Sequence, residues 1–176
     1  MHLQYTLLYP ADIEYKPSHY YRARAITAQA CAWWYENGVA LSHTLRIEGT
    51  LYSADELRHG KLYTEVRRLK NDLAVNLFYV PGLGGWAGTW DKDAAVVSDA
   101  VLEEEWPTAR NQPAPTVAHE LGHLFGLGHT DEADPQHRLS LMGGGLDLWP
   151  NTGLTDEERE IVARWVNEEG YIKTGN

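Results

Sequence analysis

Three histidines and one glutamate stand together in HELGHLFGLGH, residues 119 to 129. On an α-helix, His119 and His123 are four residues apart, so both imidazoles lie on one face, about 6 Å apart along the axis, and can reach one ion. Zinc suits such a nitrogen pair. Glu120 leaves the helix about 100° round from His119, too far to share the ligand geometry but close enough to reach a water on the metal. That makes it a base rather than a ligand. Gly126 can adopt the left-handed conformation that ends a helix, so the chain can turn there and return His129 as a third nitrogen. Three nitrogens leave one position for a water, whose pKa falls towards neutrality beside zinc. Glu120 would take its proton during attack on a carbonyl and pass it to the leaving amine.

The chain holds eight histidines, so accidental pairs have to be weighed. At this composition a bare H-E-x-x-H arises by chance in roughly three of a hundred such chains, and the full H-E-x-x-H-x-x-G-x-x-H in about one of ten thousand, so the longer pattern favours chemistry. Gly122, inside the motif, is explained equally well by close packing of another segment on the helix. His137 reads as an exposed loop histidine before it reads as a second contact to the metal site or substrate.

The elements that must position this cluster are legible in outline. LQYTLLYP (3 to 10) reads as a strand ended by proline, and Ser18 to Glu36 as one long helix stopped at Asn37-Gly38. TLRIEGTLYS (44 to 53) alternates like a half-buried strand, and DELRHGKLYTEVRRLKN reads as a short helical or irregular connector. LAVNLFYV (73 to 80), WAGTW (86 to 90) and AAVVSDAVL (94 to 102) are further strand candidates. Thr116 to Phe125 reads as the motif helix, entered through Pro115 with Thr116 as its N-cap. In LTDEEREIVARWVNEEG, Thr155 and Glu158 form a capping box for a last helix that Gly170 ends. The order predicts an α+β or mixed α/β domain built on one sheet.

Whole-chain properties narrow the function classes. At 176 residues with 43% hydrophobic residues, the chain can bury a core as one folded domain. A formal net charge of -10 repels phosphate, so nucleic acid and anionic membrane surfaces are excluded as expected partners, while a cationic substrate or calcium is compatible. Asp91, Asp93, Asp99, Asp131 and Asp134 offer calcium its oxygen ligands without an ordered loop signature, so solvated loop charge is the default. Cys31 is the only cysteine, which rules out an internal disulfide and a thiolate zinc cage; it reads as a small buried hydrophobe. No secretion signal opens the sequence, and no run of apolar residues is long enough to span a membrane.

HELGHLFGLGH resembles the zinc-binding signature of the metzincin metallopeptidases, and RLSLMGGG resembles that clan's Met-turn. The resemblance implies a single catalytic domain with a twisted, mostly parallel sheet of four to five strands, a backing helix, an active-site helix and a C-terminal helix. Residues 1–126 would form the N-terminal subdomain and 127–176 the C-terminal one. It implies one zinc on His119, His123 and His129, Glu120 as general base, and Met142 as an apolar floor. It makes GGWAGTW (84 to 90), notably Gly85, Trp86, Ala87 and Gly88, the edge strand along which an extended peptide pairs; a plain hairpin edge is the other reading of that stretch. Leu146, Leu148 and Trp149 would line an apolar pocket beside the metal. The substrate would be a peptide or protein, the molecule a monomer, and the location extracellular as in much of the clan. Thr130 is neither the glutamate of the astacin type nor the serine of the matrixin type, and no tyrosine closely follows Met142. The resemblance therefore names the clan and no family within it. Two other readings of the cluster stay open. A gluzincin-like peptidase would take its third ligand from Glu157, Glu158 or Glu160, and a non-catalytic binding module would hold zinc for stability alone.

Overall fold

The structure is a computed structural model that describes residues 1–84, 87–90, 94–98, 102, 113–130, 140–143 and 152–168. Five strands form one sheet: β1 (His2–Tyr9), β2 (Ser42–Gly49), β3 (Val75–Val80), β4 (Ala87–Trp90) and β5 (Ala94–Ser98), in the spatial order β2-β1-β3-β5-β4. The first four in that order run parallel, and β4 is an antiparallel edge strand on β5. Parallel pairing requires crossover segments. Here they are α1 (Pro17–Glu36) between β1 and β2, and α2 (Ala54–Glu56) with α3 (Leu62–Leu69) between β2 and β3.

Alternation along the central strands explains why both faces of the sheet are covered. Leu3, Tyr5, Leu7 and Tyr9 of β1, Leu77 and Tyr79 of β3, and Ala95 and Val97 of β5 enter one core with α1 and with α4 (Pro113–Leu124), the helix that carries the histidine motif. Leu8, Phe78, Val80, Ala94 and Val96 face the other way, onto Leu57, Leu62, Val66 and Leu69. The last helix, α5 (Asp156–Glu168), adds Val162 to the first core and packs Trp165 against Phe125 at 5.0 Å between ring centroids.

Several element boundaries differ from those expected. The connector is helical from Ala54 to Leu69, interrupted at His59 and Gly60, where Gly60 takes φ 121°. Ser53 caps its start: Ser53 Oγ accepts the Glu56 amide at 3.2 Å, and a Glu56 carboxylate oxygen accepts the Ser53 amide at 2.9 Å. β2 ends at Gly49 rather than 53, four residues before that cap. Likewise α4 begins at Pro113, with Thr116 inside it, because prolines fit a first helical turn whose amides have no helical acceptor. β5 ends at Ser98. No described helix is long and apolar enough to cross a membrane.

Candidate metal centre

The motif helix ends as the glycines predict. Gly126 has φ 87°, its amide donates to His123 O at 3.1 Å, and the Leu127 amide donates to Gly122 O at 3.0 Å. This is the paired hydrogen-bond pattern of a left-handed helix terminus. It reverses the chain within three residues and brings His129 back beside its own helix. His129 Nε2 lies 3.1 Å from His119 Nε2 and 3.1 Å from His123 Nε2. Among the described residues this trio is a cluster fit to hold a metal, its ligand atoms all within 4.8 Å of one another.

The hydrogen-bond partners decide which nitrogen faces inward. His119 Nδ1 donates to Leu141 O at 3.0 Å, and His123 Nδ1 donates to Leu127 O at 2.8 Å. A carbonyl only accepts, so in both rings the proton is on Nδ1 and Nε2 carries the lone pair. His129 Nε2 can donate to at most one of its two neighbours. At least one of the short contacts therefore opposes two lone pairs, and a cation between them removes that conflict. Two nitrogens bound to one zinc at about 2.0–2.1 Å are about 3.3 Å apart, close to the spacing seen here. The donor set fits zinc in number and type, and in the two spacings that involve His129.

Burial favours the neutral form of His119 and His123. It pushes His119 down to about 4, aided by the neighbouring His123 and His129 and opposed by the Leu141 hydrogen bond, and it lowers His123 in the same way. Burial also raises Glu120 to about 7. Glu120 is 7% exposed, and its Oε2 has no hydrogen-bond partner. An unpaired buried carboxylate oxygen on the helix that carries His119 and His123 is costly for folding alone.

Met142 is buried in the turn at 140–143, against the helix. A Cβ added to Gly122 would stand 2.7 Å from Met142 Sδ. Gly122 thus serves close packing, and what packs on it is the turn that also supplies Leu141 O to His119. Thr130, next to His129, joins the same turn through its amide, which donates to Met142 O at 3.3 Å. Glu157 and Glu160 are exposed. Glu158 accepts the Thr155 amide at 2.7 Å and Thr155 Oγ1 accepts the Glu158 amide at 3.2 Å, so this glutamate serves the capping box. None of the three belongs to the metal cluster.

Ala87 and Gly88 lie in β4, the outermost strand. Gly85, Trp86, His137, Leu146, Leu148 and Trp149 lie outside the described residues, as do Asp91, Asp93, Asp99, Asp131 and Asp134. Cys31 is buried in α1 with its thiol pushed up to about 12 by burial, as a packing residue should be. Sequence reasoning missed the carbonyls of Leu127 and Leu141, because any residue type supplies a carbonyl. It also assigned no part to Trp33 and Trp34, although both indoles donate to distant backbone: Trp34 Nε1 to Ala118 O and Trp33 Nε1 to Thr152 O, each at 3.1 Å.

No family model and no curated protein matches this chain in sequence. Solved structures match it in shape. A crystal structure of archaemetzincin from Methanopyrus kandleri superposes with a TM-score of 0.60 at 17% identity, covering 95% of this chain and 97% of that one. A structure of a chaperone-substrate complex gives a TM-score of 0.59 at 15% identity over 99% of this chain, which spans 35% of that longer chain. Metalloproteinase-II from Bacteroides fragilis gives 0.45 at 15% identity, over 93% of this chain and 53% of that one. At these identities the likeness concerns the fold. The architecture is similar to that of archaemetzincin, and it brings three histidines together where a metal could sit.

Proposed function

We propose that this chain is a zinc-dependent endopeptidase of metzincin type, with His119, His123 and His129 as ligands, Glu120 as general base and Met142 as the floor of the site. The observation that carries the reading is the convergence of three Nε2 atoms, two of them on rings whose Nδ1 protons are held by carbonyls. Zinc, when bound, supplies the Lewis acidity that activates water and polarises a peptide carbonyl. Glu120 receives the proton of the attacking water on its carboxylate and passes it to the leaving nitrogen. A carboxyl raised to about 7 exchanges protons readily near neutrality. The outer edge of β4 offers main-chain groups to an extended peptide, which supports Ala87 and Gly88, with Gly85 and Trp86 before them, as substrate contacts. Trp149 is proposed as a wall of the adjoining side-chain pocket.

Metal analysis together with cleavage of a peptide library tests this. Wild type should hold one zinc and cleave. Glu120→Ala should retain the zinc while losing turnover by about 10²–10⁴-fold, the range for a general base. His129→Ala should lose zinc; if it binds zinc as tightly as wild type, the ligand set is wrong. Zinc-loaded wild type that cleaves nothing would make the domain a zinc-stabilised binding module instead.

A further inference from the structure

Resting on the reading of His119, His123 and His129 as zinc ligands, we propose that Trp33, on α1, is a positioning residue for His119. Three hydrogen bonds join them. Trp33 Nε1 donates to Thr152 O at 3.1 Å. The next carbonyl, Gly153 O, accepts the Leu141 amide at 3.1 Å. Leu141 O accepts His119 Nδ1 at 3.0 Å. Leu141 is thereby held through the peptide groups on both sides of its Cα, and the placement of that residue sets the direction of the carbonyl at which the His119 ring is aimed.

Residues 152–155 belong to no helix or extended strand. They meet the 140–143 turn through one isolated bridge, Ser140 with Gly153. Such a segment takes its position from what it is tied to, and α1 provides a rigid anchor. Trp33 is 3% exposed and its ring stands edge-on to Trp34 at 5.0 Å. Trp34 in turn holds the carbonyl of Ala118, the residue before His119. One helix thus fixes the backbone of His119 through Trp34 and the ring of His119 through Trp33. Without the Trp33 N–H, residues 152–153 can shift, the Leu141 carbonyl turns, and His119 Nε2 has to be reoriented whenever metal binds.

The experiment replaces Trp33 in the full chain by Phe and, separately, by β-(3-benzothienyl)alanine, whose ring keeps the indole shape with sulfur in place of N–H. Zinc affinity is measured by competition with a chromophoric chelator, and the thermal midpoint with and without zinc. Both variants should bind zinc about 10-fold more weakly, the lower end of the loss when the direct partner of a ligand histidine is disturbed, because the Leu141 carbonyl that is that partner loses its support, and the rise in midpoint on adding zinc should shrink. A Trp33 that only fills the core would lower both midpoints equally and leave zinc affinity within about 2-fold of wild type, far from that 10-fold loss. That result overturns the proposal. The isosteric replacement keeps the test decisive if Trp33→Phe does not fold. His129→Ala, measured alongside, separates the two layers: if its affinity is unchanged, the ligand assignment itself fails, whatever Trp33 does.

Discussion

At the scale of single residues, one backbone torsion decides whether the third histidine arrives. A Cβ on Gly126 would meet Ile161 Cγ2 at 3.6 Å and Trp165 Cδ1 at 3.8 Å, ordinary contacts, so space does not demand glycine there. The left-handed φ does. Gly126→Ala should therefore destabilise the metal-free protein by about 1–2 kcal/mol in denaturant unfolding, and Gly126→Asn by less. Glu65 offers a pH test remote from the cluster. Its carboxylate is buried and receives Nε and Nη2 of Arg68, at 2.7 Å for the shortest contact, and that hydrogen bonding holds it below the usual carboxylate range. A group whose folded pKa is depressed contributes stability that is present above its unfolded pKa and is lost as pH falls through the folded value. Wild type should thus be more stable than Glu65→Gln at neutral pH, and the gap should close below about pH 4, since an unfolded glutamate titrates near 4.3. A gap that stays constant through acid would show that the charge is not what matters.

At the scale of elements, the active helix and the 140–143 turn form one packed unit, with Gly122 and Met142 as its contact. Alanine at 122 improves helix propensity by about 1 kcal/mol, yet overpacking against Met142 costs about 1–3 kcal/mol. Gly122→Ala should come out destabilising in thermal melts and should weaken zinc binding by displacing Leu141. In a Met142→Ala background the same change should be neutral or stabilising. If it is equally harmful there, the contact is not the cause. Much of this level was legible beforehand. The histidine spacing and the Thr155 box rest on side-chain type at fixed periods, whereas the half-buried alternation expected of β2 is not found, since every residue of that strand is exposed or partly exposed. Ser53 with Glu56 carried the same signal as Thr155 with Glu158, and reading it would have placed the start of α2. The start of α4 was missed because proline breaks helices in their interior and opens them at their first turn, and local sequence does not distinguish the two.

At the scale of the molecule, the metal site is a joint between parts distant in the chain. His119 and His123 lie on α4, His129 follows its C-terminus, Leu141 comes from the turn, and Trp33 with Thr152 ties that turn to α1. A ligand bound only by the folded state stabilises it by mass action. Free zinc at a hundredfold above its Kd should add about 2.7 kcal/mol. For a domain of this size that corresponds to roughly 5–10 °C in the thermal midpoint, reversed by a chelator and absent in His129→Ala. A wild-type midpoint indifferent to both zinc and chelator would remove the metal from the account.

The amino-acid sequence by itself determined which side chains could meet a metal and on what kind of element, because ligand type, helical period and a glycine's torsional freedom are local properties. The tertiary structure decided what those rings face. The Nδ1 proton and inward Nε2 lone pair of His119 and His123, the unpartnered oxygen of Glu120 and the Met142 contact that requires Gly122 are set by how the folded chain packs around them. Most of those partners are backbone groups, which every residue possesses and which leave no mark in a sequence.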